Sequence, residues 1–150
     1  MKIIQVIKNV ALLAFALKAD HSTWPNYPST ALADTAGWKN TEALLAGPTN
    51  ASYLGPKTTE FRNNSSVNQG FTDWFVPSAG QLAYMYLNMT AINTLLNKCG
   101  GTTLPKSVHW SSSEYYTDTP WYVFFSSGIV GSGYKKYYNY DVRFCRDIKE

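Results

Sequence analysis

The chain has 150 residues, of which 45% are hydrophobic and 15% are charged, and its formal net charge is only +3. This length and apolar content fit one domain, residues 1–150, with its own core, and they exclude a wholly disordered chain. The small charge forms no run of like sign, so we expect no nucleic-acid partner. Aromatic residues reach 15%, including 11 tyrosines, and this excess is the unusual feature of the composition.

The first 17 residues combine two lysines with an apolar run, Val10 to Leu17. A signal peptide has this outline, but hydrophobic residues interrupt the basic part and no clean small-residue cleavage motif follows. The interpretation we favour is one long strand, or two short strands bent near Lys8. The apolar run is also too short to cross a bilayer, so we expect no membrane insertion.

Three segments carry helix signals: residues 34–46, 78–89 and 91–98. The first ends at the stop signal Gly47-Pro48. In the second, Ser78 and Gln81 have the spacing of a capping box, in which each side chain bonds a backbone N–H of the other residue. Thr90 is the expected cap of the third. The polar, turn-rich stretch 50–70 is predicted to be mostly loop, with one helical turn at most.

The last third of the chain has the pattern of β-hairpins, opening at Val108 to Ser111. In residues 121–126 the side chains alternate between two faces. We expect Trp121, Val123 and Phe125 to face the core, and Tyr122, Phe124 and Ser126 to face outward. Gly128 is predicted to make a turn before a strand at Ile129-Val130. A final strand, Val142 to Ile148, is expected to pair with Val10 to Leu17.

Few side chains could carry chemistry. Cys99 and Cys145 could form one disulfide if the fold brings them together, which the sequence leaves open. His109 lies near three serines and Glu114, but neighbouring strand residues face opposite sides and no nucleophile elbow is present, so a catalytic triad is not expected. The histidines and cysteines lack metal-ligand spacing, and no loop concentrates calcium-binding carboxylates, so we expect no metal and no cofactor.

Four ordered motifs resemble a bacterial and phage protein family. They are Phe71–Ser78 (FTDWFVPS), Trp110–Glu114 (WSSSE), Trp121–Val130 (WxVxFxxGxV) and Val142–Arg146 (VRxxR). The usual family forms are DWYLPS, WSSSEY, AWYVxFxxGxV and VRPVR, from which this chain departs at Pro120, Phe144 and Cys145. The family resembles the C-type-lectin-like fold in the branch of the formylglycine-generating enzymes. Its close relatives include the variable proteins of diversity-generating retroelements.

The resemblance implies an α+β domain of C-type-lectin-like fold, with a small antiparallel sheet, two main flanking helices and a third short helix. Glu114, Arg143 and Arg146 recur as motif residues. We expect Glu114 to pair with one of the two arginines as a buried structural clamp. Three tryptophans are core candidates: Trp74, Trp110 and Trp121.

The resemblance also implies a diversified surface. In such variable proteins an error-prone reverse transcriptase mutates the adenines of Asn-type codons. The predicted positions between the fixed motif residues all belong to the set that those codons can reach, whereas Lys135 does not and is left out. Tyrosine suits a contact surface because it combines a large area, few rotors and a polar tip. The predicted ligand-binding positions are Tyr116, Thr117, Asp118, Thr119, Tyr122, Phe124, Ser126, Ser127, Ile129, Ser132, Tyr134, Tyr137, Tyr138, Asn139 and Asp141.

The predicted function is non-catalytic ligand binding, as a receptor or adhesion protein on a virion or bacterial cell surface. A protein ligand on a cell or phage surface is the expected partner, with a glycan as second choice. Two alternatives stay open. One is a structural or decoration domain of a pilus or virion without a diversified site. The other is an enzyme of the formylglycine-generating type, which would depend on Cys99 and Cys145.

Overall fold

The computed structural model describes residues 29–47, 54–116, 119–133 and 138–147. The helices in these ranges are α1 (Ser29–Ala33), α2 (Gly37–Ala46), α3 (Leu54–Asn63), α4 (Ser65–Asn68), α5 (Ala79–Leu87) and α6 (Met89–Lys98). The strands β1 (Val108–Tyr116), β2 (Thr119–Phe124) and β3 (Val130–Ser132) form one antiparallel sheet in the order β1-β2-β3. This is the predicted α+β class with a small sheet. No helix in the described ranges has the length and apolar character needed to span a membrane.

The predicted helices form with shifted starts. α5 has the complete capping box: the Ser78 hydroxyl accepts from the Gln81 N–H at 3.3 Å, and the Gln81 side chain accepts from the Ser78 N–H at 2.9 Å. α2 begins only at Gly37, because the Asp34 carboxylate accepts the Ala36 N–H at 2.8 Å in a local turn. The predicted cap at Thr90 is wrong, since Thr90 already lies inside the first turn of α6.

Most of the stretch 50–70 that was predicted to be loop is helical, as α3 and α4. Pro56 fits into α3 because it falls in the first turn, where a backbone N–H has no intrahelical partner. Leu54 and Thr58, one helical turn apart, are both buried. Their burial stabilises a helix whose composition is otherwise polar, since helices in proteins depend more on tertiary packing than on propensity.

The alternation predicted for β2 is confirmed on its core side. Trp121, Val123 and Phe125 are 8%, 0% and 1% exposed, and they pack in the main core with residues of α1, α5 and α6. The core positions predicted for Trp74 and Trp110 are also confirmed. Burial of these large rings removes much apolar surface from water and so stabilises the fold.

The opposite face of the sheet is partly covered. Trp110 is fully buried there and packs with Leu54 and Val76 in a second apolar cluster, against which Tyr122 also packs. Tyr122 and Phe124 are therefore half-buried, so the prediction that they look out at water is only partly right. The cover comes from α3 and from residues 140–144, which the alternation in β2 alone could not reveal.

The turn between β2 and β3 rests directly on α5. Gly128 has φ +75°, a backbone conformation that glycine adopts without a steric penalty. A Cβ atom at this position would lie only 2.6 Å from the ring of Tyr86. Both constraints, the positive φ and the close approach, require glycine here.

The segment 142–148, predicted as a strand, forms no strand within its described part, which ends at residue 147. Cys145 exchanges two backbone hydrogen bonds with Phe75, at 2.7 and 2.9 Å, and Asp141 bridges β1 at His109. The strand prediction is wrong because residues 141–145 bridge β1 at one end and Phe75 at the other. Neither bridge extends into a continuous series of β-sheet hydrogen bonds. The predicted pairing with Val10 to Leu17 lies outside the described residues.

The predicted pairing of an arginine with an acidic residue is present, but the acid is Asp73 and not Glu114. Asp73 accepts hydrogen bonds from Arg146 Nε and Nη2 at 2.8 and 2.9 Å, and the Arg146 guanidinium lies 3.6 Å from the centre of the Phe71 ring. Glu114 is exposed and pairs with Pro120 near the hairpin end of β1. The prediction of a buried clamp through Glu114 is therefore wrong, because Glu114 lies at the hairpin end of β1.

Asp34 joins three elements through hydrogen bonds. Its carboxylate accepts from the Ser113 hydroxyl in β1 at 2.6 Å, and its backbone carbonyl accepts from the Ser78 hydroxyl at 2.6 Å. Ser113 Oγ in turn accepts from the Ala79 N–H at the start of α5, at 2.8 Å. We call this group of four residues the Asp34 junction. It connects the corner between α1 and α2 to α5 and to β1.

We predict that Trp121→Ala lowers the free energy of unfolding by about 3–5 kcal/mol, because it removes a buried aromatic side chain and leaves a cavity. Urea denaturation followed by circular dichroism measures the change. Tyr116→Ala is the matched control, since Tyr116 is 66% exposed and should cost much less. Equal losses for the two variants would contradict the assignment of Trp121 to the core.

Candidate functional site

Four aromatic side chains form a contiguous group on the outer side of β2, here called the tyrosine face: Tyr122, Phe124, Tyr138 and Tyr140. The Tyr122 ring centre lies 5.5 Å from that of Phe124 and 5.2 Å from that of Tyr140. Tyr138 stacks on Tyr140 at 5.1 Å, with the ring planes 16° apart. The buried Trp110 lies beneath them, 4.7 Å from Tyr140, so a core residue positions these surface rings.

The tyrosine face combines apolar rings with neutral hydroxyls. Tyr138 is 46% exposed, and the other three rings are half-buried. Burial raises the pKa of the Tyr122 and Tyr140 phenols, so both stay protonated near neutral pH. Asp141, which follows Tyr140 in the chain, is exposed, and its carboxylate accepts a hydrogen bond from the Ser107 hydroxyl. These groups suit contact with a ligand better than acid–base chemistry.

The predicted ligand-binding positions fall into four groups. The exposed ones are Tyr116, Ser126, Ser127, Ile129, Tyr138, Asn139 and Asp141. The half-buried ones are Tyr122, Phe124 and Ser132. Thr119 is buried and donates its hydroxyl to the Tyr116 carbonyl at 3.2 Å, so its side chain is poorly placed to contact a ligand. Outside the described residues lie Thr117, Asp118, Tyr134 and Tyr137.

Tyr116 does not join the tyrosine face. Its ring centre lies 4.2 Å from that of Tyr115, and Tyr115 lies against Trp121 at 5.2 Å. Trp121 belongs to the core side of the sheet, opposite Tyr122, so the predicted positions do not all share one face. Tyr115 is a surface aromatic outside the predicted positions. Tyr140 is half-buried, and it follows Tyr138 in the tyrosine-rich run 137–140 at the two-residue spacing of a shared face.

The groups that a hydrolase would need serve the fold instead. The Ser111 hydroxyl donates to the Trp121 carbonyl at 2.8 Å, and Ser113 belongs to the Asp34 junction. His109 is 1% exposed, and burial, the largest influence, lowers its pKa, which favours the neutral ring. Within the described ranges, no cluster of three or more histidine, cysteine, aspartate or glutamate side chains could hold a metal ion.

The two cysteines are free thiols, so the disulfide that the sequence left open does not form. Cys145 is buried, and its sulfur lies 3.9 Å from that of Met85. Burial raises the pKa of the Cys145 thiol to about 12. Since the thiolate is the reactive form, this side chain is a poor nucleophile at neutral pH.

One solved structure with a similar fold is that of a fimbrial protein from Bacteroides ovatus. The match covers 83% of this chain and 27% of that protein, with a TM-score of 0.57 and 22% sequence identity. The chain therefore corresponds to only part of the fimbrial protein, and at this identity the likeness shows the fold alone. The sequence matches no protein-family model, and no curated protein matches it.

We predict that a thiol reagent such as 5,5′-dithiobis(2-nitrobenzoic acid) at pH 8 modifies Cys99 in the folded protein and spares Cys145. Cys99 is partly exposed, whereas Cys145 is 6% exposed and protonated. Absorbance of the released thiolate counts the modified thiols, and both should react in denaturant. Cys99→Ser should abolish the native reaction. Rapid reaction of that variant, or an unreactive pair even in denaturant, would contradict the assignment.

Proposed function

We propose that this chain is a non-enzymatic module of a surface appendage of the fimbrial kind. The observation that carries the proposal is the fold shared with a fimbrial protein over 83% of this chain. This choice corresponds to the structural or decoration module that the sequence left open as an alternative. It also fits the expected location on a bacterial cell surface.

The use of polar side chains in the fold supports a passive role. The hydroxyls of Ser111 and Ser113 donate hydrogen bonds that connect secondary-structure elements. His109 and Cys145 are buried in the core region. An enzyme would need such groups to reach a substrate, because a general base or nucleophile must lie within hydrogen-bonding distance of the reacting atoms. Here they stabilise the scaffold.

We also propose that the fold is C-type-lectin-like, in the sense of the family that the motifs resemble. The motifs meet one another in space, which supports this. The 71–78 motif contacts the 142–146 motif through the Asp73–Arg146 pair and the Phe75–Cys145 bridge. The 110–114 motif pairs with the 121–130 motif in the sheet. Residues that carry the resemblance thus build one connected framework.

A second candidate function, ligand binding by the tyrosine face, is favoured by one specific observation. Tyr138 projects into solvent from stacked rings that rest on the buried Trp110. A rigid aromatic ring held in place loses little entropy on contact, which is why tyrosine anchors many binding surfaces. A protein ligand remains the first choice, and a glycan the second. This function is compatible with an appendage, where a terminal module would present the face.

The appendage proposal predicts surface display. Antibodies raised against the chain should label filaments on intact cells of the encoding organism in immunogold electron microscopy, and deletion of the gene should remove the label. Tyr116→Ala should be displayed normally, whereas Trp121→Ala should be lost because it does not fold stably. Label that appears only after the cells are broken would contradict the proposal.

Diversification of the exposed positions on and beside the tyrosine face makes a separate prediction about gene copies. Copies from independent isolates should differ mainly at exposed positions such as Ser126, Ser127 and Tyr138, while Trp121 and Val123 stay constant. Surface substitutions usually change stability little, whereas core substitutions are costly. Sequencing of the gene from many isolates measures this distribution. Substitutions spread evenly over core and surface would contradict a diversified face and leave the appendage proposal intact.

A further inference from the structure

A cavity of about 400 Å³ lies between α6, the loop 100–104 and the C-terminal segment 142–145. Most of its wall is apolar: Trp74, Ile92, Leu96, Leu104, Val142 and Phe144 contribute. None of the residues of the tyrosine face lines it. Its volume lies within the range of small-molecule sites, which are typically about 300–1,000 Å³ and mostly apolar with a few polar groups.

Arg143 places a positive charge in the wall of this cavity. Its side chain is half-buried, and its Nη2 donates to the Thr102 carbonyl at 3.2 Å. The ion pairs found within the described residues use other cations, so no carboxylate there neutralises Arg143. Among the residues that the structure describes, the Thr102 carbonyl is the hydrogen-bond partner found for its planar guanidinium, which carries five N–H donors. A partly desolvated cation without a paired anion is a costly arrangement that an anionic ligand would relieve.

The rest of the lining narrows the class of ligand. Gly100 and Gly101 contribute wall without side chains, which leaves space inside the cavity. Gln69 and Thr102 add hydrogen-bonding groups at the wall. The positive charge of Arg143 repels a cationic ligand. The largely apolar wall disfavours a sugar, because a sugar needs many polar partners. A carboxylate suits Arg143 because the guanidinium fork can bind its two oxygens together.

We propose that this cavity binds a small amphipathic carboxylate, with an acyl or aryl body between α6 and Phe144 and the carboxylate on Arg143. Burial lowers the pKa of Arg143, in keeping with a guanidinium that is partly stripped of water and lacks a fixed counterion. The proposal is independent of the appendage function, because the cavity and the tyrosine face share no residue. The module would then carry a small-molecule site apart from its aromatic surface.

Isothermal titration calorimetry of the full chain with sodium decanoate, below its micelle concentration, tests the proposal. We expect saturable binding of one decanoate per chain. 1-Decanol, which has the same body without the charge, should bind at least about tenfold more weakly, as expected for loss of a charge-assisted hydrogen bond. Decylammonium should not bind. Decanol binding as tightly as decanoate, or no heat of binding with decanoate, would overturn the proposal.

Arg143→Gln should weaken decanoate binding by about tenfold or more. Lys98→Gln is the matched control, since it removes the same charge from an exposed side chain outside the cavity; it should bind decanoate normally. Equal weakening in both variants would reveal nonspecific attraction and overturn the proposal. If Arg143→Gln does not fold, the binding site is located instead from the changes in amide chemical shifts of the unmodified chain when decanoate is added. Decanoate should shift residues 100–104 and 142–145, and shifts confined to Tyr138 and its neighbours would overturn the proposal.

Discussion

The hydrogen bonds of the Asp34 junction constrain the rest of the structure. The Ser113 hydroxyl donates to the Asp34 carboxylate and accepts from the Ala79 N–H, so one atom links β1 to two helical regions. Loss of any partner would leave a poorly solvated donor or acceptor without a hydrogen bond, which costs more than the bond itself contributes. Because the junction fixes β1 against α5, it also fixes which face of β2 meets the main core.

The sheet is buried unequally on its two sides. Trp121 and its neighbours on the core side are closed to solvent, while Trp110 on the other side supports a partly exposed aromatic layer. Within that layer Tyr122 contributes to packing, whereas Tyr138 is held mainly by stacking on Tyr140. In the proposed ligand-binding role, stability and recognition are separable at Tyr138 and coupled at Tyr122.

Features set by local rules could be predicted from the sequence, and features set by long-range contacts could not. The capping box of Ser78 and the alternation of Trp121, Val123 and Phe125 follow from neighbouring residues, and both are confirmed. Helix α3 cannot be predicted from local signals, because its stability depends on burial of Leu54 and Thr58 by distant segments. The acid that pairs with Arg146 cannot be chosen from the sequence either, since two motif acids, Asp73 and Glu114, are available and only the path of the chain selects Asp73. The family resemblance remains a proposal beside the shared fold of the fimbrial protein.

The glycine at the β2–β3 turn has a consequence for how this protein can evolve. Residues 126, 127 and 129 project into solvent, yet Gly128 between them has no room for a side chain against Tyr86. Mutation can therefore change the side chains at positions 126, 127 and 129, whereas position 128 between them is constrained to glycine. A lineage that lost this glycine would have to replace Tyr86 with a smaller residue and also place at position 128 a residue that tolerates a positive φ, such as asparagine, so its loss requires two coordinated changes.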